Sequence, residues 1–324
     1  MRAHILLAGR TLAGVAAMLF VVALGVGFAA LAPFVAAEIQ LRQHGPLIGP
    51  APKLPLQGRW FDDYFVIEPI DAVTFAIGEP RYYQANYSYL IIGANRAVLF
   101  DAGTGNRDIV PVVRSLTRLP VTVIPSHLHF DHVGALGHFD RTAVIDDASL
   151  HARTQRGELT LQRYEFLGLA DSLRPPRFKV DEWWPAGARV DLGGRKLRVL
   201  STPGHTPTSV ALYDAERRQL FAGDFLYPGA LYAFLPGASR SAYRATTRTL
   251  LALVDPATRI WCGHMADDPE AIAAPWLAVD DLRALEAALV GIERGTLAST
   301  GFYPRVYPVR GRIKFETGFA WNNR

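Results

Sequence analysis

The run Ser126-His127-Leu128-His129-Phe130-Asp131-His132 places three imidazoles and a carboxylate within six consecutive positions. Packing alone does not produce that density of metal-binding groups. Neutral imidazole and carboxylate suit borderline divalent cations such as Zn²⁺, and the absence of Cys from the run points away from a closed thiolate site. A hydrolytic centre is the first chemistry this suggests. Further metal-binding types stand far downstream, in Thr202-Pro203-Gly204-His205, Gly223-Asp224 and Gly263-His264, and an aspartate stands upstream in Leu99-Phe100-Asp101-Ala102-Gly103. Burying several imidazoles and carboxylates together without a cation would be very costly, so a role as ordinary core residues is disfavoured.

The pattern around these residues predicts strands that deliver them. An apolar strand at 121–124 runs straight into the first cluster, and 190–200, folded at Gly193-Gly194, ends at His205. Strands at 210–213 and 219–222 flank a turn and end at Asp224, while 259–262 ends at His264. Upstream, 72–77, 87–92 and 97–100 read as neighbouring strands, and 108–119 has helical spacing at Ile109, Val112, Val113 and Leu116. Loops after strands carry function in layered α/β folds while the sheets beneath stay rigid. Two strand-rich halves, with helices over 240–254 and 280–293, predict sheets packed together with helices outside. Residues 301–318 alternate as one further hairpin.

At 324 residues and 50% apolar content the chain has ample material for one large α/β body. Its net charge of +4 comes from scattered rather than clustered basic residues, which argues against nucleic-acid binding. The single cysteine, Cys262, excludes an intrachain disulfide. Residues 11–37 contain no charge and are long enough to cross ~30 Å of hydrocarbon as a helix. Arg2 and Arg10 before them favour a cytoplasmic N-terminus. The expectation is a membrane anchor or signal at 1–40, a Pro/Gly-rich linker at 41–59 and a hydrolase domain at 60–324. That arrangement implies an extracytoplasmic catalytic body, anchored to the membrane or secreted after cleavage.

Taken in order, S-H-L-H-F-D-H, T-P-G-H-T-P, F-A-G-D and C-G-H resemble the metallo-β-lactamase superfamily of hydrolases, over roughly 73–264. The resemblance implies an αββα sandwich carrying two divalent metal ions, Zn²⁺ first, with Mn²⁺ and Fe²⁺ also suited to these donors. It implies one ion on His127, His129 and His205, a second on Asp131, His132 and His264, and Asp224 bridging. A hydroxide between the ions would be the nucleophile, with Asp131 orienting it or passing its proton onward. Asp101 would sit behind the ligands, accepting the second N–H of an imidazole. Tyr227 matches a tyrosine of the lactone-hydrolysing members, where a hydroxyl can donate to the developing oxyanion; packing on the loop is the alternative.

The expected reaction is hydrolysis of an ester, lactone, thioester or amide in a small molecule. An apolar stretch at 225–235, directly after Asp224, suits an acyl chain, and packing against a sheet is its rival reading. Trp60, Phe61, Tyr64 and Phe65 pose the same choice between core and ligand or lipid contact. His4, His44, His138 and His151 read as surface or packing residues, Cys262 as a small buried residue, and Arg240, Arg244 and Arg248 as a solvated helix face. Two other classes remain open: a persulfide dioxygenase-like protein with one iron, and a non-catalytic binding domain at a membrane.

Overall fold

Two six-stranded sheets laid face to face form the body of the protein, in a computed structural model that describes residues 47–168 and 173–318. The first sheet holds β1 (Arg59–Trp60), β2 (Val66–Asp71), β3 (Thr74–Glu79), β4 (Asn86–Ile92), β5 (Ala97–Phe100) and β6 (Val121–Ile124), in that spatial order. Its strands are antiparallel except β5 and β6, which pair parallel across helix α1 (Val110–Leu116). Helix α2 (Phe130–Val133) grows out of the first histidine cluster. A parallel pair follows, β7 (Ala143–Ile145) with β10 (Glu182–Trp184); between them lie α3 (Ala148–His151), the hairpin of β8 (Thr154–Gln155) and β9 (Glu158–Leu159), and α4 (Arg163–Phe166).

The second half holds β11 (Arg189–Asp191), β12 (Lys196–Ser201), β13 (Val210–Asp214), β14 (Gln219–Gly223), β15 (Ala230–Ala233), helix α5 (Arg240–Leu253), β16 (Arg259–Cys262), β17 (Trp276–Ala278), helix α6 (Val279–Glu293), β18 (Arg305–Arg310) and β19 (Ile313–Thr317). The second sheet runs β11-β12-β13-β14-β16-β17, with β14 and β16 parallel. The expected C-terminal hairpin is β18 and β19, and β19 also pairs parallel with β15 to make a small third sheet.

Side-chain alternation places the core. Along β14, Phe221 faces the first sheet, its ring 5.3 Å from Tyr89 and 6.4 Å from Phe100. Its neighbours Leu220 and Ala222 turn to the other side, onto Tyr243 and Leu250 of α5 and Leu282 and Leu285 of α6. Both faces of this sheet are therefore buried, each large side chain contributing roughly 1.5–3 kcal/mol. On the far side of the first sheet, Val112 and Val113 of α1 close the core. That helix is shorter than the expected 108–119, because Thr117 is already extended and Leu119 precedes Pro120.

The apolar segment 11–37 lies outside the described residues, and among those described no helix is long and apolar enough to cross a membrane. Residues 47–57, the later part of the Pro/Gly-rich stretch, lie against the body with Leu47, Leu54 and Leu56 packed on the core. Tyr64 and Phe65 are buried, and Trp60 and Phe61 pack against them, which is the core reading of those aromatics. Arg244 pairs across to Glu286 and Glu293 of α6.

Candidate metal centre

Every candidate ligand singled out above, and Asp101 behind them, follows the end of a strand, and the strand ends gather at one edge of the two sheets. Asp101 follows β5, the His127–His132 run follows β6, His205 follows β12, Asp224 follows β14 and His264 follows β16. Backbone bonds lock that edge: Asp101 donates to Ile124 and Gly263 to Gly223 within each sheet, while Tyr87 donates to Gly263 and Val210 to Ser126 between sheets. Gly263 permits a close approach, since a Cβ there would lie 2.5 Å from an oxygen of Asp224.

The side chains form two groups sharing an edge. His127 Nε2 and His205 Nε2 lie 2.8 and 3.0 Å from His129 Nδ1. Asp131 Oδ2 lies 3.6 Å from His132 Nε2 and 3.5 Å from His264 Nε2. Asp224 stands between, its carboxylate 3.1 Å from His264 Nε2, 3.3 Å from His132 Nε2, 3.7 Å from His205 Nε2 and 4.0 Å from His127 Nε2. All seven residues are buried. Within each of the triads His127–His129–His205, His127–His132–Asp224 and Asp131–His132–His264, the ligand atoms lie within 4.8 Å of one another.

The rings are held from behind. His205 Nδ1 faces the Tyr232 carbonyl at 3.0 Å and His264 Nδ1 the Gln84 carbonyl at 3.1 Å, so in each the outer nitrogen carries the hydrogen and Nε2 keeps a lone pair for the centre. His127 Nδ1 meets Ser126 Oγ at 2.9 Å. His132 Nδ1 lies 3.0 Å from Asp101 Oδ2, and the other oxygen of Asp101 accepts the Ser126 N–H at 2.5 Å. Asp101 holds this position with φ of +68°, a conformation few residues other than glycine adopt. Asn86 donates to both the carbonyl and the carboxylate of Asp131, at 2.8 and 3.2 Å.

The electrostatics divide the site. Burial pushes the His127, His129 and His205 imidazoles down, with like-charged neighbours adding to the effect on the first two, so all three are neutral donors. Burial also acts on His132 and His264, yet Asp131, Asp101 and Asp224 outweigh it for the first and Asp224 for the second, raising both. Asp224 is held ionised well below the usual carboxylate range because His264 and His132 overcome its burial. The carboxylates thus favour positive charge on this side of the site, a proton on His132 and His264 or a divalent cation in its place. His132 Nε2 and Asp224 Oδ1, both buried and 3.3 Å apart, make no hydrogen bond to each other or to any other group, as atoms turned toward a shared cation would. Deprotonated imidazoles and carboxylates in this number fit divalent cations.

The centre opens into a cavity of about 580 Å³, walled by Tyr227, Tyr232, Phe234 and Leu235 among others. The stretch 225–235 thus does both things considered for it: Phe225, Leu226 and Leu231 pack inward, and Tyr227, Ala230, Tyr232, Phe234 and Leu235 line the cavity. Tyr227 lies with its ring centre 5.2 Å from that of His264 and donates its hydroxyl to the Ala230 carbonyl. An oxyanion role requires exchanging that bond for one to substrate; a packing role does not. Cys262 is buried and burial pushes its thiol up, as suits a core residue. His138 and His151 stand apart, paired with Asp108 and Asp146 at the surface, and His4 and His44 lie outside the described residues. Asn86, Ser126 and the Gln84 and Tyr232 carbonyls are functional partners that sequence reasoning did not single out.

The sequence model of the metallo-beta-lactamase superfamily matches residues 82–264. An acyl-coenzyme A thioesterase of Gallus gallus, MBLAC2, is 31% identical over 219 residues, covering 60% of this chain and 77% of the relative. A hydroxyacylglutathione hydrolase of Synechococcus sp. (strain JA-3-3Ab) is 29% identical over 192 residues, or 55% of this chain and 63% of the relative. Among solved structures, a metallo-beta-lactamase from Pontibacter korlensis superposes with a TM-score of 0.52 at 17% identity, over 70% of this chain and 99% of that one, which is a likeness in fold. With two sheets backed by helices, buried imidazoles and carboxylates at their common edge, and the family's sequence pattern over more than half its length, the chain belongs to the metallo-beta-lactamase superfamily of metallo-hydrolases.

Proposed function

We propose that this protein hydrolyses an acyl thioester, or a closely related acyl ester or lactone, with two divalent cations. The observation that carries this reading is the convergence of seven buried donor residues, five of which line an aromatic and aliphatic cavity of about 580 Å³. His127, His129 and His205 would hold one cation, Asp131, His132 and His264 the other, and Asp224 would touch both. When bound, such a pair supplies a nucleophile from water near neutral pH and polarises the scissile carbonyl. Two relatives are named for acyl-coenzyme A and hydroxyacylglutathione, both thiol esters of acyl groups, which supports the thioester among the bonds considered.

The chain's own residues do the rest. Asn86 fixes Asp131 through two hydrogen bonds, leaving a carboxylate that can take up the proton released as water attacks. Asp101 holds His132 in orientation, as the backbone carbonyls hold His205 and His264. Tyr232, Phe234 and Leu235 offer an acyl group a largely apolar surface. The gathering of Asp131, His132 and His264 into a second group weighs against a single-iron dioxygenase, which would use only the first. Zinc is the proposed metal; manganese and iron satisfy the same donors. Residues 1–40 are proposed as membrane anchor or signal, which would put the catalytic body outside the cytoplasm.

The test is a panel of acyl thioesters, acyl esters, lactones and a β-lactam, assayed before and after chelation. Chelator-sensitive hydrolysis with acyl thioesters turned over best is expected. No hydrolysis of any member, or oxygen consumption with a persulfide in its place, would overturn the reading.

A further inference from the structure

Part of the wall of the cavity comes from residues 49–54, which precede the region matched by the family's sequence model. Gly49, Pro50, Pro52 and Leu54 line the cavity together with residues 80–85, which follow β3, and 265–269, which follow β16. Burial alternates along this strap: Pro52, Leu54 and Leu56 are half-buried while Ala51, Lys53, Pro55 and Gln57 are exposed. An extended chain with one face turned inward has that period.

The strap is tied at both ends. Gly49 donates its N–H to the Arg81 carbonyl at 2.8 Å, Arg81 Nε donates back to the Gly49 carbonyl at 2.9 Å, and Tyr83 donates to Leu47 at 3.3 Å. At the other end Ile272 donates to Pro55 at 2.9 Å and Gln57 to Ile272 at 3.1 Å. One end is thus fixed to the loop after the first sheet's β3 and the other to the loop after the second sheet's β16. Three of the residues from Gly49 to Gln57 are prolines, whose fixed φ lowers the freedom lost on ordering the strap.

We infer that this strap is the specificity wall of the hydrolase: Pro52 and Leu54, which line the same cavity as Tyr232, Phe234 and Leu235, set how long an acyl chain the site accepts. The inference rests on the acyl-hydrolase reading above and adds to it the residues that choose among acyl groups. The candidate metal ligands would act on the bond common to all these substrates, whereas the strap lines the same cavity with apolar side chains that an acyl tail can contact. Enlarging Leu54 fills that space; truncating it extends the space.

The experiment uses the full chain, with Leu54→Trp, Leu54→Ala and Lys53→Ala, and measures kcat/KM for thioesters from acetyl to hexadecanoyl. In Leu54→Trp the long-to-short ratio is expected to fall at least tenfold, and in Leu54→Ala the optimum is expected to move to a longer chain by about two carbons. Lys53→Ala, on the outward face, is expected to keep the wild-type profile. Binding of fatty carboxylates of the same lengths, followed by calorimetry, gives a readout free of turnover, so that a wild-type protein inactive on all thioesters defeats the hydrolase reading while the chain-length dependence of affinity still tests the strap. Identical profiles in both Leu54 variants and wild type, in turnover and in affinity, would overturn the inference. A Leu54→Trp protein that fails to fold leaves the opposite shift in Leu54→Ala to decide it.

Discussion

His132 depends on a carboxylate it does not share with a metal. Asp101 meets its Nδ1 at 3.0 Å, so Asp101→Asn should weaken cation affinity about 10–100-fold with the fold intact, because Asn tolerates the same left-handed backbone. Titrating metal-free protein with cation checks this. Tyr227→Phe removes a hydroxyl already donated to Ala230, and is expected to lower stability by about 1 kcal/mol with kcat reduced less than tenfold. A loss of 10²–10³ in kcat would instead be the signature of an oxyanion donor. The residues read from the sequence as ligands were legible because their side-chain types are rare in a core and their motifs are short. Asn86 was not, because its partner Asp131 is 45 positions away, and the Gln84 and Tyr232 carbonyls could not be, since a backbone acceptor leaves no residue type to read.

The strands that carry the ligands were the easiest elements to read. Those at 97–100, 121–124 and 259–262 fall where apolar β-branched runs put them, each closed by a turn residue. The pairing of β7 with β10 and of β15 with β19 was not legible, because each joins short segments far apart in sequence whose only signal is that they meet. The strap at 47–57 read as a linker for a related reason: its prolines mask a strand-like alternation that only the body's surface reveals. The end of β3 carries a titration that can be measured. Glu79 is buried and accepts hydrogen bonds from Tyr64 and Thr104; burial raises its carboxyl above the ordinary value of 4.5, and the two hydroxyls offset this only in part. A carboxyl raised in the folded state adds stability below its unfolded value and loses that contribution as pH rises through its folded one. The melting temperature of Glu79→Gln should therefore gain on wild type as pH rises from about 4.5, and a constant difference between the two would contradict the assignment.

The two halves are fastened by a buried arginine as well as by apolar packing. Arg195, in the turn between β11 and β12, donates to Asp214 at 2.7 Å and Gln219 at 3.1 Å in its own half, and to Val73, Ile92 and Thr74 of the first sheet at 2.9–3.2 Å. Arg195→Ala would leave the Asp214 carboxylate, which is 1% exposed, with Arg217 as its remaining partner, and should cost about 3–5 kcal/mol in denaturant unfolding. A cost below about 1 kcal/mol would show that the sheets hold without it. The face-to-face packing of the sheets could be expected from the alternation of their strands, but this fastening could not, since an arginine in a turn normally reads as solvated. At the edge that the two halves build together, the central claim is a pair of cations. It is tested most directly by elemental analysis of divalent metal per chain in protein purified without added metal. Close to two zinc, manganese or iron ions per chain are expected, falling together when Asp224 is replaced by Ala. A single iron unaffected by loss of His264, or no metal at all, would contradict the account.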